Sequence, residues 1–248
     1  MKVITTSWDD GHVLDFRLAD LLYKYNLPGT FYIPKHNAEH EVMLSEQVAE
    51  LAKGFEIGGH TINHIRLHSK EKAVLQNEIR GCYNWLSDLL GYAPQPFCFP
   101  GGVFHQKAVD VVFQTGFKIA RTTELLSTKL FTNHNLTPTT LQVFEHNAVT
   151  YAKHLIKRQR WANLLQWLGN HSLHQLPALT ESYLNRINKN GGCFHLWGHS
   201  WEIEEFGLWE KLEELFRIIS GRTDFVYVSN SGLISHQQIL IQQESAFL

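Results

Sequence analysis

Two adjacent carboxylates, Asp9 and Asp10, close a β-forming run from Ile4 to Trp8 and are followed at once by Gly11. Successive strand side chains face opposite ways, so the pair can do two jobs in one site only if the chain turns there, which glycine permits. One carboxylate could then ligate a metal ion while the other, nearby but unligated, accepts a proton from water on that ion. The plainer reading of Asp-Asp-Gly is a turn that ends a strand. About fifty residues on, His60 and His64 stand at i and i+4, an interval that one helical turn brings to the same side. Two histidines and a carboxylate form a facial ligand set with open positions, as a hydrolytic zinc site requires, and Asp10 is the third member at hand. The chain has 15 histidines, so chance pairs are expected; His36 and His40 share the interval but sit among Lys35, Asn37, Glu39 and Glu41 and read as a solvated loop.

These groups need strand ends that meet on one face. The chain alternates short β-branched or aromatic runs with amphipathic stretches, the pattern of βα units around a parallel sheet. Strands are expected at 2–7, 30–33, 55–59, 96–99, 117–120, 141–144, 193–197 and 224–228, and helices at 14–25, 45–53, 69–90, 106–115, 176–189 and 208–220, with a terminal helix from 231. In the first helix Leu14, Leu18, Leu21 and Leu22 share a face, and Leu27-Pro28-Gly29 closes it. Between about 124 and 191 the alternation lapses into an irregular helical segment. One long helix is expected there at about 149–168, with Lys153, Lys157, Arg158 and Arg160 on a solvated face. No repeat, low-complexity tract or linker marks a boundary, so one domain is expected over residues 1–248. Seven or eight parallel strands closed into an α/β barrel would carry their C-terminal ends, and the chemistry, to one face.

Composition narrows the partners. The chain has 248 residues, 44% hydrophobic and 19% charged, as in an ordinary soluble globular protein. Its net charge of -2 offers no basic field for nucleic acid. No apolar run approaches the roughly 20 residues of a membrane span. Met1 leads straight into the first strand without an apolar leader, and Cys82, Cys98 and Cys193 are an odd, widely spaced set. The expected setting is therefore the cytoplasm, with free thiols.

Taken in order, Asp9-Asp10, His60-x-x-x-His64, Phe97-Cys98-Phe99-Pro100-Gly101-Gly102 and Trp197-Gly198-His199 resemble the polysaccharide deacetylases, the NodB-like carbohydrate esterases. The resemblance covers nearly the whole chain. It implies a distorted barrel of seven or eight βα units and a divalent metal ion, commonly zinc, that serves the hydrolysis of N- or O-acetyl groups on sugars. By position it implies Asp9 as general base, Asp10, His60 and His64 as metal ligands, His199 as general acid and the Gly101 backbone N–H at the oxyanion. The chemistry is consistent: acidified water attacks the acetyl carbonyl, the ion and one backbone donor hold the oxyanion, and a charged imidazole protonates the leaving group. His195, on the same expected strand, is a rival acid, although His199 at the strand end better fits where barrels keep their chemistry.

The resemblance also implies an arginine where this chain has Cys98, and a later Asp-and-Trp motif that has no counterpart here. A guanidinium fixes a catalytic carboxylate with a rigid fork and favours its charged form. Arg121, ending the strand after Pro100–Gly102, is the expected substitute and is expected to contact Asp9; the alternative is a surface ion pair. Trp8, Trp197 and Trp201 flank the catalytic groups and are expected to stack on a sugar, although tryptophan also fills cores. Trp85, Trp161, Trp167 and Trp209 read as packing residues, and Cys98 as a small buried hydrophobe, not a nucleophile. The leading expectation is a metal-dependent deacetylase of an acylated sugar or glycan precursor. The alternatives are a deformylase or ureide hydrolase on the same barrel, and a glycan-binding protein that has lost catalysis.

Overall fold

The architecture turns on the first strand, β1 (Lys2–Asp9), in which every residue from Val3 to Asp9 is buried. A strand covered on both faces belongs inside a parallel sheet whose crossovers lie outside it. The computed structural model describes residues 1–68, 71–132, 135–157, 159, 161–169 and 175–236. After β1 come α1 (Asp15–Lys24), β2 (Thr30–Ile33), α2 (Ser45–Leu51), β3 (Glu56–Gly59), α3 (Lys72–Leu90) and β4 (Pro96–Cys98). A 3-10 turn (Pro100–Gly102) leads to α4 (Gln106–Thr115), β5 (Ile119–Arg121), β6 (Leu136–Thr137) and β7 (Leu141–Gln142). The chain continues through α5 (Ala148–Lys157), α6 (Trp161–Leu168), α7 (Leu176–Asn190), β8 (Gly192–His199), α8 (Ser200–Glu205), α9 (Trp209–Ile219) and β9 (Val226–Tyr227).

The strand order is β6-β5-β4-β3-β2-β1-β8-β7, with every neighbouring pair parallel. On one edge of β1, β2 pairs with Ser7–Asp9, and β9 extends that pairing at Val3 and Ile4. The two ends of the sheet, β6 and β7, are consecutive in sequence and joined only by residues 138–140, which span at most about 11 Å. Eight parallel strands can meet that constraint only by curling. The result is the expected α/β barrel, distorted because β6 and β7 approach without pairing.

Alternation along β1 separates core from site. Ile4 and Trp8 face the helices and pack with Leu18, Leu22 and Phe216, Trp8 edge-on to Phe216 at 6.0 Å. Each such aliphatic side chain contributes roughly 2 kcal/mol by leaving water. Thr5, Ser7 and Asp9 face the barrel interior, in register with His195, Trp197 and His199 of β8.

Several elements differ from expectation. The long helix at 149–168 is two helices, because Gln159 takes a φ of 54° that a right-handed helix cannot continue through. β6 is a two-residue strand, too short to show a period, and α8 follows β8 at once. Trp161 is 57% exposed and therefore is not a packing residue. Lys153 and Lys157 are exposed, whereas Arg158, Arg160 and the terminal helix beyond residue 236 lie outside the described residues. No described helix is long and apolar enough to cross a membrane.

Candidate active site

Strand β1 ends at an unusual turn. Asp9 keeps the extended line of the strand, whereas Asp10 and Gly11 take φ of 79° and 63°. A Cβ on Gly11 would also lie 2.6 Å from Ile33 Cγ2, so both conformation and space demand glycine. The turn swings Asp10 away from Asp9 and lets two neighbours serve different functions.

Asp10 Oδ1 lies 3.0 Å from His64 Nε2 and 3.4 Å from His60 Nε2. The three ligand atoms are within 4.8 Å of one another. His60 Nδ1 stands 2.9 Å from the Cys98 carbonyl oxygen. A carbonyl can only accept, so Nδ1 carries the proton and Nε2 turns its lone pair toward Asp10. Asp10 Oδ1 is itself buried with no hydrogen-bond partner of suitable geometry. Electron pairs converging on one buried point are mutually repulsive unless a cation lies between them, so this donor set fits a divalent ion with its second shell in place.

The imidazoles do not meet through a helical turn. His60 follows β3, and the chain then bends through Thr61 at φ 64° and His64 at φ 52°. Thr61 Oγ1 accepts from the Ile65 N–H at 3.2 Å. The buried Glu78 of α3 clamps the bend by accepting from the Asn63 backbone N–H at 3.0 Å and from its amide at 2.8 Å. His36 and His40 lie in the mostly exposed loop expected of them; the His36 backbone N–H donates to the Ile62 carbonyl at 2.9 Å, and the half-buried His40 ring stacks on Trp201 with centroids 3.8 Å apart.

Beside the ligand set, Arg121 Nη2 donates to Asp9 Oδ2. Arg121 is fully buried, and the Asp9 carboxylate more than offsets the effect of burial and pushes its pKa further up. Asp9 Oδ1 is buried and has no hydrogen-bond partner among the described residues. Cys98 is buried next to Asp9, its thiol 3.8 Å from Oδ2, and burial pushes its pKa well up, as for an inert residue.

His199 and His195 both point into the barrel, four residues apart along β8 with Trp197 between them on the same face. His195 is bound at both ring nitrogens, to Ser7 Oγ at 2.8 Å and the Pro138 carbonyl at 3.1 Å. Burial, aided by the Arg121 charge, lowers its pKa to about 3, so it stays neutral. His199 reaches the cleft, with Nε2 4.0 Å from Asp9 Oδ2 and Nδ1 3.1 Å from Glu202 Oε2. Burial works against its charge, but the Glu202 bond and the Asp10 and Asp9 charges raise its pKa to about 9. Gln142 Nε2 in turn donates to Glu202 Oε2 at 2.9 Å, and Gln142 Oε1 lies 3.0 Å from His146 Nε2.

Asp9, Asp10, His60, His64 and His199 line a cleft of about 620 Å³ that also includes Arg66, His68, Gly101, Trp197 and Trp201. Gly101 has a φ of 58°, and the turn around it is closed by the N–H groups of Gly102 and Val103, not its own. The three tryptophans divide. Trp197 lies under Arg121, 4.5 Å from its Cζ, and lines the cleft. Trp201 lines it too, but donates to Asp10 Oδ2 at 2.9 Å and has one face covered by His40. Trp8 is fully buried among helices and offers no face to a sugar, because strand parity turns it away from Asp9.

Glu202, Gln142 and Glu78 were not anticipated. Glu202 stands three residues after His199, a spacing that signals contact once a helix is known to begin there. Glu78 has no local signal, since α3 is placed against the bend by tertiary packing.

Residues 1–120 match the family model described as polysaccharide deacetylase. A peptidoglycan-N-acetylglucosamine deacetylase of Bacillus cereus is 30% identical over 132 residues, covering 51% of this chain and 57% of that protein. The chain thus spans little more than half the length of that relative. Among solved structures, a candidate polysaccharide deacetylase from Mycobacterium smegmatis superposes with a TM-score of 0.68 at 16% identity, over 96% of this chain and 90% of that one. A family 4 acetyl xylan esterase from Clostridium thermocellum, solved with a cobalt ion, gives 0.56 at 15% identity, over 96% and 92%. At such identities these structural likenesses show the fold, a NodB-type barrel.

Proposed function

From a chain whose first 120 residues match the polysaccharide deacetylases and whose fold is their NodB-type barrel, we propose a metal-dependent hydrolase that removes an acetyl group from an N- or O-acetylated sugar or glycan precursor. The observation that carries this reading is the division of labour at the β1 turn. Asp10 shares one point with His60 and His64, while Asp9, one residue earlier, is held by Arg121 and keeps an oxygen free.

A divalent ion held by Asp10, His60 and His64, zinc in this reading, would polarise the acyl carbonyl and acidify a water at its open positions. Asp9 takes the proton of the attacking water on Oδ1, the oxygen that Arg121 does not occupy. The Gly101 N–H donates to the carbonyl oxygen as that atom gains charge. His199, protonated at neutral pH because its pKa is raised to about 9, gives its Nε2 proton to the departing amine or alkoxide. Trp197 forms the wall against which the sugar is bound. Three unpaired buried thiols support a cytoplasmic setting.

The test is acetate and formate release from a panel of acylated sugars, with and without chelator. Chelation should stop acetate release and added zinc restore it. Asp9→Asn should keep the metal and lose turnover by roughly 100-fold or more, whereas Asp10→Asn should lose the metal itself. Turnover that ignores chelation, or zinc retained without His60 and His64, would overturn the assignment. Formate release in place of acetate would change the substrate class.

A further inference from the structure

Resting on that reading, we propose that the acylated sugar carries an anionic group, a carboxylate or a phosphate, and that Arg66 and His68 bind it at the mouth of the cleft. The segment that carries them is built into the fold. Leu67 between them is fully buried; its N–H donates to the Val103 carbonyl at 3.0 Å and its carbonyl accepts from His105 N–H at 2.9 Å. It also forms an isolated parallel bridge with Phe104. In extended chain the neighbours of an inward residue face the opposite way. Arg66 and His68 therefore lie on one side, and both line the cleft.

Arg66 is also folded over the reacting region. A Cβ on Gly101 would lie 3.3 Å from Arg66 Nε, so the guanidinium covers the turn that presents the oxyanion amide. The charges around it are otherwise committed. Asp9 is paired with Arg121, Asp10 is shared by two imidazoles, and Glu39 stands 3.8 Å from His64 Nδ1. The Arg66 side chain has no hydrogen bond or ion pair among the described residues. A guanidinium held near a site built for a divalent cation is repelled by that cation unless an anion joins them. Its planar fork suits two oxygens of one carboxylate or phosphate, and His68 supplies a further donor. Arg66 and His68 are exposed at the mouth, so water solvates the cation until substrate arrives, and a neutral acetyl sugar would bring it no counter-charge.

The experiment compares kcat/KM for acetate release from N-acetylglucosamine, the same sugar bearing a 6-phosphate, and the same sugar bearing a 3-O-lactyl carboxylate. In the zinc-loaded wild type one anionic sugar should exceed the neutral one by about tenfold or more. Arg66→Gln should collapse that ratio through KM, and Arg66→Lys should restore part of it, as a point charge without the fork. The two anionic arms decide between phosphate and carboxylate. Equal kcat/KM for all three sugars, or a ratio that survives in Arg66→Gln, overturns the proposal and leaves the deacetylase reading standing. Calorimetric binding of glucosamine and glucosamine 6-phosphate, which needs no turnover, separates the two claims. Phosphate-dependent binding lost in Arg66→Gln, with no acetate released from any sugar, would sink the deacetylase reading and keep the anion site.

Discussion

Arg121 donates to Asp9 Oδ2 while its Cζ lies 4.5 Å from the Trp197 ring and 5.4 Å from that of Tyr32. The carboxylate is thus gripped by a cation that is itself enclosed by aromatic faces, where an arginine is better suited than a lysine. Arg121 ends β5 in register with Cys98 of β4, so its guanidinium reaches Asp9 from the strand next to the one on which the resemblance implies an arginine.

Arg121→Lys should keep the metal and lower kcat by roughly 10- to 100-fold, because a point charge cannot fix the rotamer of the base. Arg121→Ala should also destabilise the protein by about 3–5 kcal/mol, since Asp9 is left buried and unpaired. Metal analysis, steady-state kinetics and denaturant unfolding measure the three effects. Full activity in Arg121→Lys would show that the contact is structural only.

The pH dependence follows from His199. A general acid acts while protonated, so kcat should hold as pH rises and fall through about 9, the raised pKa of that imidazole. Glu202→Gln removes the carboxylate on Nδ1 and should move the falling limb toward the ordinary histidine range near 6.5. The kcat–pH profile of the two proteins checks this; coincident basic limbs would remove His199 from the role.

Glu78 holds the bend that carries His64, one of the proposed metal ligands. Its two oxygens accept from the backbone and side chain of Asn63. A glutamine there can accept only one bond and must turn an N–H toward the other donor. Glu78→Gln should therefore loosen the bend at His64 and weaken metal affinity about 10- to 100-fold, with a smaller change in kcat at saturating metal. Competition with a chelating dye measures the first quantity.

Asp15 opens α1 behind the site, fully buried, with Ser200 beside it and no partner of good hydrogen-bond geometry among the described residues. Burial, helped by the Asp10 and Asp9 charges, raises its pKa well above the usual value. A raised carboxyl binds its proton more tightly folded than unfolded, so it costs stability as pH rises above about 3.9, by roughly 1.4 kcal/mol per unit until the folded pKa is passed. Asp15→Asn avoids that cost. Its Tm should gain on wild type between pH 4 and 7, and a difference that stays flat with pH would contradict the assignment.

The parts of this site that could be read in advance are those fixed by local chemistry. Asp-Asp-Gly announced its turn because glycine and a strand end leave few conformations, and alternating runs announced the barrel. Arg121 was legible through an absence, since Cys98 cannot hold a base. The path between His60 and His64 was not, because a helical turn and a left-handed bend close the same interval, and Glu78 decides between them from α3. Trp8 was misjudged by proximity in sequence to Asp9, although the two-residue period of a strand already turns it the other way.

The pairing of β1 has a consequence for synthesis. Only Ser7–Asp9 pair with β2, which follows within about twenty residues, whereas the whole of Lys2–Asp9 pairs with β8, made some 190 residues later. All three candidate ligands have emerged once residue 64 is made, but one long edge of the central strand stays unpaired until β8 arrives. Such a delayed, distant pairing is slow to close, and the waiting edge is open to other chains. The last third of the polypeptide therefore delivers both His199, the acid proposed for the site, and the strand that covers the open edge of β1.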